Sequence, residues 1–389
     1  MRIVVTGLIG QYALGGVVWD YLQYLLGFQE LGHDVWYLED TGMWPYNRER
    51  EEICADCSDN VAHVQKIMEE FGFGDRWLYR NEPDGVFHGS GGTAHHAESI
   101  LREADVLVNV SGACWLREAT FAIPRKIFID GDPMFTQINL MRDKDGERLR
   151  RVLAHDRHFT FGLNVGKTGC LVPTCGLDWR PTVQPISIQH WENADLDQER
   201  VPASYGHWTT VMNWVSYPPV EFENERYGQK DIEFSKFLEL PRLAGVPFLI
   251  AMGRGMGNQR PTQLLEEAGW KIREPLDVIP DHRAYKQFLA ASRGEWSVAK
   301  HGYVAARTGW FSCRTACYLA CGRPAVVQET GWSTHLPSGK GVIAFSTLEE
   351  AVDALRRIEA DYETHCGAAR EFVRTYFAAN RVCDELLNT

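Results

Sequence analysis

Residues 2–9, RIVVTGLI, form a short apolar run that feeds a loop holding Gly10, Gly15 and Gly16. Val17–Leu31 follows with helical spacing of its apolar residues and stops at Gly32, and a second apolar run, Val35–Leu38, comes next. A run that is apolar without alternation fits a strand buried on both faces. Strand, glycine loop, helix and strand in that order predict a parallel sheet with helices on both sides.

The pattern continues. Strands are expected at Val106–Val110 and Lys126–Ile129. Segment 81–96, NEPDGVFHGSGGTAHH, reads as a mobile loop, and glycines and prolines in mixed polar sequence at 164–185 mark a domain boundary. A second α/β series then opens. Its expected strands are Trp208–Trp214, Pro247–Met252, Glu295–Ala299, Pro324–Gln328 and Val342–Phe345. Its expected helices are Asp231–Leu240, closed by Pro241, then Arg283–Ser292, Ser312–Ala320 and Leu348–Ala360. A length of 389 residues suits two domains. They are placed at 1–175 and 176–361, with a helical 362–389 expected to pack back on the first. The fold class is α/β, with two tandem Rossmann-like doubly wound domains whose sheets face a cleft.

Charge and composition limit the partners. The net charge of −12 argues against nucleic acid, which needs clustered Lys and Arg. No uninterrupted apolar stretch is long enough for a membrane span, so stable membrane insertion is not expected. The start of the chain superficially resembles a signal peptide, but Thr6, Gln11 and Tyr12 interrupt it, and a first strand is the better reading. Ten cysteines are read as reduced, because Cys313, Cys317 and Cys321 recur at helical spacing and Cys54 and Cys57 form a lone CxxC off any strand-to-helix turn. A cytoplasmic location is expected. Most of the 13 Trp are expected in cores.

Residues 307–331, RTGWFSCRTACYLACGRPAVVQETG, carry the strongest chemical signal. A glycine turn opens a helix at Ser312, and Gly322-Arg323-Pro324 closes it into a strand. A helix N-terminus offers free N–H groups and a positive dipole end, a ready site for a diphosphate. Arg307, Arg314 and Thr315 surround that turn. Glu329 and Thr330 lie past the strand, where a carboxylate can accept hydrogen bonds from sugar hydroxyls. The alternative is an ordinary helix–strand unit.

Those residues, G-W-x-S, a helix, then G-x-P-x-V-V and an acidic residue, resemble the donor-binding segment of GT-B glycosyltransferases. The likeness is close to the plant-type nucleotide-sugar signature, in which a His two residues before G-W binds phosphate. Arg307 stands there instead, and Thr315 replaces the acidic residue expected to contact ribose. The resemblance implies a donor diphosphate held by Ser312, Arg307, Arg314 and Thr315, with Glu329 and Thr330 on the sugar. Arg254, in Gly253-Arg254-Gly255, is similar in placement to a phosphate-binding Arg of some GT-B families. Lys300 ends a strand at the same sheet edge. For both, a solvated surface charge is the alternative. Residues 277–280 lie where such proteins hold the base by backbone contacts. The glycine loop with Gly15 and Gly16 would face the diphosphate from the first domain.

An inverting transferase needs a base for the acceptor proton. Asp130 and Asp132, at the end of a first-domain strand, are the candidates, although for each taken singly a structural role in the turn is the better reading. His88, His95 and His96 are read as exposed. No metal site is expected. The resemblance thus implies metal-independent transfer of a hexosyl-type sugar from a nucleotide-diphosphate sugar, UDP-sugar favoured, to a small-molecule or glycan acceptor. The nucleotide sugar is a co-substrate and no cofactor is called for. The alternatives are a nucleotide-sugar epimerase, a non-catalytic sugar-nucleotide-binding protein, and an NAD-dependent oxidoreductase. For the last, Glu39 and Asp40 sit where a ribose ligand would be, although the glycine spacing departs from the dinucleotide fingerprint.

Overall fold

The computed structural model describes residues 1–48, 50–90, 93–192 and 202–388. The first sheet is built from β1 (Arg2–Thr6), β2 (Asp34–Glu39), β3 (Trp77–Arg80), β4 (Phe87–Gly89), β5 (Val106–Val110), β6 (Arg125–Asp130), β7 (Arg157–Thr160) and β8 (Trp179–Pro181). Its order is β8-β7-β6-β5-β1-β2-β3-β4, parallel except where β4 returns along β3. The second holds β9 (Trp208–Asn213), β10 (Phe248–Gly253), β11 (Lys271–Arg273), β12 (Gly294–Ser297), β13 (Ala325–Gln328) and β14 (Val342–Phe345). Its order is β11-β10-β9-β12-β13-β14, parallel throughout.

Both-sided burial explains the unbroken apolar runs. Along β1, Ile3 and Val5 enter one core cluster and Val4 the other. Along β10, Leu249 and Ala251 face one core while Phe248, Ile250 and Met252 face another. The latter is an aromatic pile in which Trp270 touches Phe234, Phe248 and Trp296 with ring centroids 4.8–5.0 Å apart.

Each sheet reverses its strand order once. β1 pairs with β2 on one side and β5 on the other, and β9 sits likewise between β10 and β12. Ligand crevices open at the carboxyl ends of strands at such switch points.

Five helices matter for the site: α1 (Gly15–Glu30), α2 (His282–Ala291), α3 (Cys313–Ala320), α4 (Tyr362–Tyr376) and α5 (Ala379–Asn388). α1 and α2 pack across the two halves, with Trp19 Nε1 donating to the His282 carbonyl at 3.0 Å. One apolar cluster runs through both, from Ile3 and Leu22 to Phe288, Phe311 and Ala316. α5 lies on α1, where Cys383 Sγ donates to the Tyr24 carbonyl at 3.8 Å.

Several expectations change. The first sheet ends at Trp179–Pro181, past residue 175. Segment 81–96 contains β4 and the start of a helix at Ala94, so the His residues sit on or beside regular structure. Pro241 opens the helix Leu240–Ala244, where a missing N–H costs nothing, and does not close one. Segment 362–387 is two helices broken at Phe377 and Ala378. Helix α1 begins at Gly15, which puts both glycines inside its first turn. All ten cysteines are free. Among the described residues no helix is long and apolar enough to cross a membrane.

Candidate functional site

A cavity of about 540 Å³ lies between the two sheets, at both switch points. The first half contributes Leu14–Val17 and Asp20 from the start of α1, and Gly131 after β6. The second contributes Val211–Asn213 and Ser216 at the end of β9, Gly253 at the end of β10, and Lys300 past β12. Ser312, Cys313 and Arg314 come from the start of α3, and Pro275, Leu276, Ile279 and Tyr285 form an apolar wall.

Two helix N-termini meet in this space. Leu14 caps α1 and Ser312 caps α3, and neither side chain bonds its own helix. Neither first turn holds an acidic residue. The positive ends of both helices therefore face the cavity uncompensated.

Three cations join them. Arg314 donates from Nε to Glu295 Oε1 and from Nη1 to the Val211 carbonyl, both at 2.6 Å. Burial opposes its charge, but the fully buried Glu295 outweighs that and raises its pKa. Lys300 Nζ donates to Asp132 Oδ1 at 2.9 Å and to Tyr217 Oη at 2.7 Å. Lys230 stands at the start of a short helix and also lines the cavity. Burial, then the facing Arg314 and Lys300, depress its pKa well below the ordinary lysine value. Burial and its two cationic neighbours push Lys230 toward its neutral form, and an anion entering the cavity would relieve that repulsion and favour the charged ammonium.

A smaller cavity of about 200 Å³ adjoins the first and shares Gly131, Lys300 and Tyr303 with it. Ser111, Phe128, Asp130, Asp132 and Thr136 complete its lining. Asp132 accepts from Tyr217 at 2.6 Å, from Lys300 and from Tyr303, which ties the first half to the second. Asp130 is different. Its oxygens accept from Gln137, Thr160 and the Asp132 amide, and it is 1% exposed. Those bonds commit its carboxylate to shaping the turn.

Of the residues singled out in the sequence, Gly15, Gly16, Lys300, Ser312 and Arg314 converge on the large cavity, together with Ile279 of segment 277–280, while Asp130 and Asp132 line the smaller one. The others lie elsewhere. Arg307 is exposed, has a left-handed φ of +52°, and presents its carbonyl to Asn164. Arg254 points to solvent, 60% exposed and 3.9 Å from Glu274. Thr315 is fully buried behind the cavity wall. Glu329 accepts from the Gly331 amide and Thr330 donates to the Trp310 carbonyl, so both shape a turn. Sequence reasoning missed Lys230, Asp20, Tyr217 and Tyr303. Asp20 left a trace, as the one charge in the otherwise uncharged run 15–28. Among the described residues no group of three or more His, Cys, Asp or Glu could hold a metal ion.

No family model matches this sequence. No curated protein matches it either. Solved structures do. An alpha-glucosyltransferase in complex with UDP and a 13-mer DNA containing a HMU base superposes with a TM-score of 0.56 at 13% identity, covering 100% of this chain and 98% of that one. AviGT4, a glycosyltransferase involved in Avilamycin A biosynthesis, gives 0.51 at 13% identity over 100% and 96%. The sucrose-phosphate synthase from Thermosynechococcus elongatus gives 0.52 at 11% identity over 99% and 97%. This chain has the GT-B fold.

The GT-B neighbours correct one expectation. Three alpha-glucosyltransferase structures with this architecture contain DNA, so the exclusion of a nucleic-acid partner, drawn from net charge alone, does not stand. Net charge averages over the surface, whereas a partner meets one face. The GT-B frame also bears on the oxidoreductase alternative. Glu39 accepts from the Gly10 and Gln11 amides at 2.8 and 2.6 Å, and Asp40 is paired with Arg117 at 2.9 Å. Neither carboxylate is free for a cofactor ribose.

Proposed function

We propose that this chain transfers a glycosyl group, of hexosyl type, from a nucleoside-diphosphate sugar to an acceptor hydroxyl. The observation that carries the reading is the convergence of two uncapped helix N-termini with Lys230, Lys300 and Arg314 on one interdomain cavity. Fixed donors and cations aimed at a diphosphate stabilise it as a leaving group, and enclosure between two halves limits hydrolysis. This arrangement supplies the counter-charge from side chains, without a metal or a cofactor. UDP is the first nucleotide to try, because GT-B neighbours were solved with it.

The donor sugar would point toward the smaller cavity, where the acceptor enters. Asp132 is the candidate to orient or deprotonate the acceptor hydroxyl, once the donor phosphate competes for Lys300. The acceptor panel has to include DNA as well as small molecules and glycans. Ten free thiols suit the reducing cytoplasm.

Thermal shift with UDP, GDP, ADP, dTDP, their sugars and NAD(H) tests the donor site. One nucleoside diphosphate should stabilise the protein, and Lys230→Ala should weaken that by about a hundredfold in Kd, as for loss of a charged hydrogen bond. Stabilisation by NAD(H) alone would remove the transferase reading. Asp132→Asn should leave nucleotide affinity within a few-fold and lower kcat by about 10²–10⁴. Unchanged turnover would return Asp132 to an interdomain tie.

A further inference from the structure

Two carboxylates line the large cavity. Glu274 is held by Arg260 at 2.7 Å. Asp20 makes no hydrogen bond or ion pair through its side chain with any described residue. It stands on α1 one turn past Gly15 and Gly16. Tyr21 and Tyr24 flank it on α1, Tyr285 faces it from α2, and Cys313, Arg314 and Cys317 face it from α3. Arg314 is itself tied to Glu295, and Lys230 lies beyond it.

Asp20 thus neighbours both Tyr285, which belongs to the apolar wall, and Arg314 in the cation cluster at the start of α3, and all three line the same cavity. In a nucleoside diphosphate the ribose occupies the interval between base and phosphates. A ribose offers two neighbouring hydroxyl donors, and a carboxylate is the acceptor suited to them. An unpaired carboxylate beside an anion site is otherwise a source of repulsion.

We propose that Asp20 accepts hydrogen bonds from the ribose hydroxyls of the bound nucleotide, so that the nucleotide is held by both halves of the chain at once. This rests on the donor site proposed above. Burial lifts the Asp20 carboxyl to about 7, with Arg314 pulling it down, so the acceptor form becomes dominant only as the pH passes neutrality. The affinity of wild type relative to Asp20→Asn should therefore rise from pH 6 to pH 8.

Calorimetry with UDP and 2′-deoxy-UDP on wild type and Asp20→Asn, at pH 6 and 8, decides it. Wild type should prefer UDP by about tenfold or more at pH 8, and the variant should bind both at the weaker level with a flatter pH response. Phosphate titration of the ligand is common to both proteins and cancels. An unchanged preference in the variant, or tighter UDP binding by it, overturns the proposal. So does a wild-type affinity that falls with pH more steeply than the variant's, since Asp20 would then be repelling the phosphates, whereas Lys230 loses charge alike in both proteins. If wild type binds neither UDP, GDP nor ADP, the donor site itself has failed, and this proposal with it. A melting curve without ligand guards against misfolding. The folded pKa lies above the usual 3.8, so the stability cost of the charge grows from about pH 4 to pH 7. Asp20→Asn should melt above wild type at pH 8, by a margin that shrinks toward pH 4. A lower melting temperature at pH 8 would make the carboxylate a structural group and end the proposal.

Discussion

Truncating Arg314 to alanine is expected to remove nucleotide binding and to cost roughly 3–5 kcal/mol of stability, the usual effect of stripping one partner from a buried ion pair. Glu295 is fully buried, and Oε2 has no partner in the protein. Without Arg314 its charge would face the core, and the Val211 carbonyl would lose its donor. Against a typical stability of about 5–15 kcal/mol, that loss is large. Urea denaturation measures it, and the double variant Arg314→Met/Glu295→Leu separates the two effects. The double variant should regain much of the urea midpoint and none of the nucleotide affinity. An Arg314→Ala midpoint equal to wild type would mean that the pair is solvated and not buried.

The second large effect turns on one methyl group. A Cβ on Gly15 would lie 2.4 Å from the Asp281 carbonyl oxygen and 2.7 Å from Tyr285 Cβ. At Gly16 the nearest atoms are on the Tyr285 ring at 3.4–3.7 Å, ordinary contact distance. Gly15→Ala must push α1 off α2, which withdraws the α1 N-terminus and Asp20 from the cavity. It should cost about 1–3 kcal/mol and weaken nucleotide binding at least tenfold. Gly16→Ala should be neutral, or slightly stabilising through the unfolded chain. Melting temperature and calorimetry on the pair check this. Equal behaviour of the two variants would show that close helix packing does not set the cavity.

Much of the fold was legible in the sequence. Strands buried on both faces write themselves as apolar runs, which is why β1, β2, β5, β6 and every second-sheet strand except β11 stood out. β3 and β7, with sequences WLYR and RHFT, carry charge within short runs one strand in from the edges, and β8, WRP, has too few residues to show a pattern. The site was half legible. Ser312 and Arg314 announce themselves through the glycine turn and the helix behind it. Arg307 looked equally well placed along the chain, but it ends up exposed and outside the cavity. Lys230 and Asp20 were hidden because nothing local says which face of a helix meets the opposite half. That information lies in the packing of α1 against α2 and α3.

The seat of α5 on α1 sets an order of events during synthesis. Cys383 and Tyr24 are 359 residues apart in the chain, yet Gly27 has no room for a side chain beneath Cys383 and Ala379. At about 5–20 residues per second, a ribosome needs roughly 20–70 s to deliver the covering helix after α1 has emerged. Through that interval Tyr24, Phe28 and their neighbours present an uncovered greasy stripe on an otherwise foldable half. Until α5 arrives, that stripe is a surface of the kind chaperones bind.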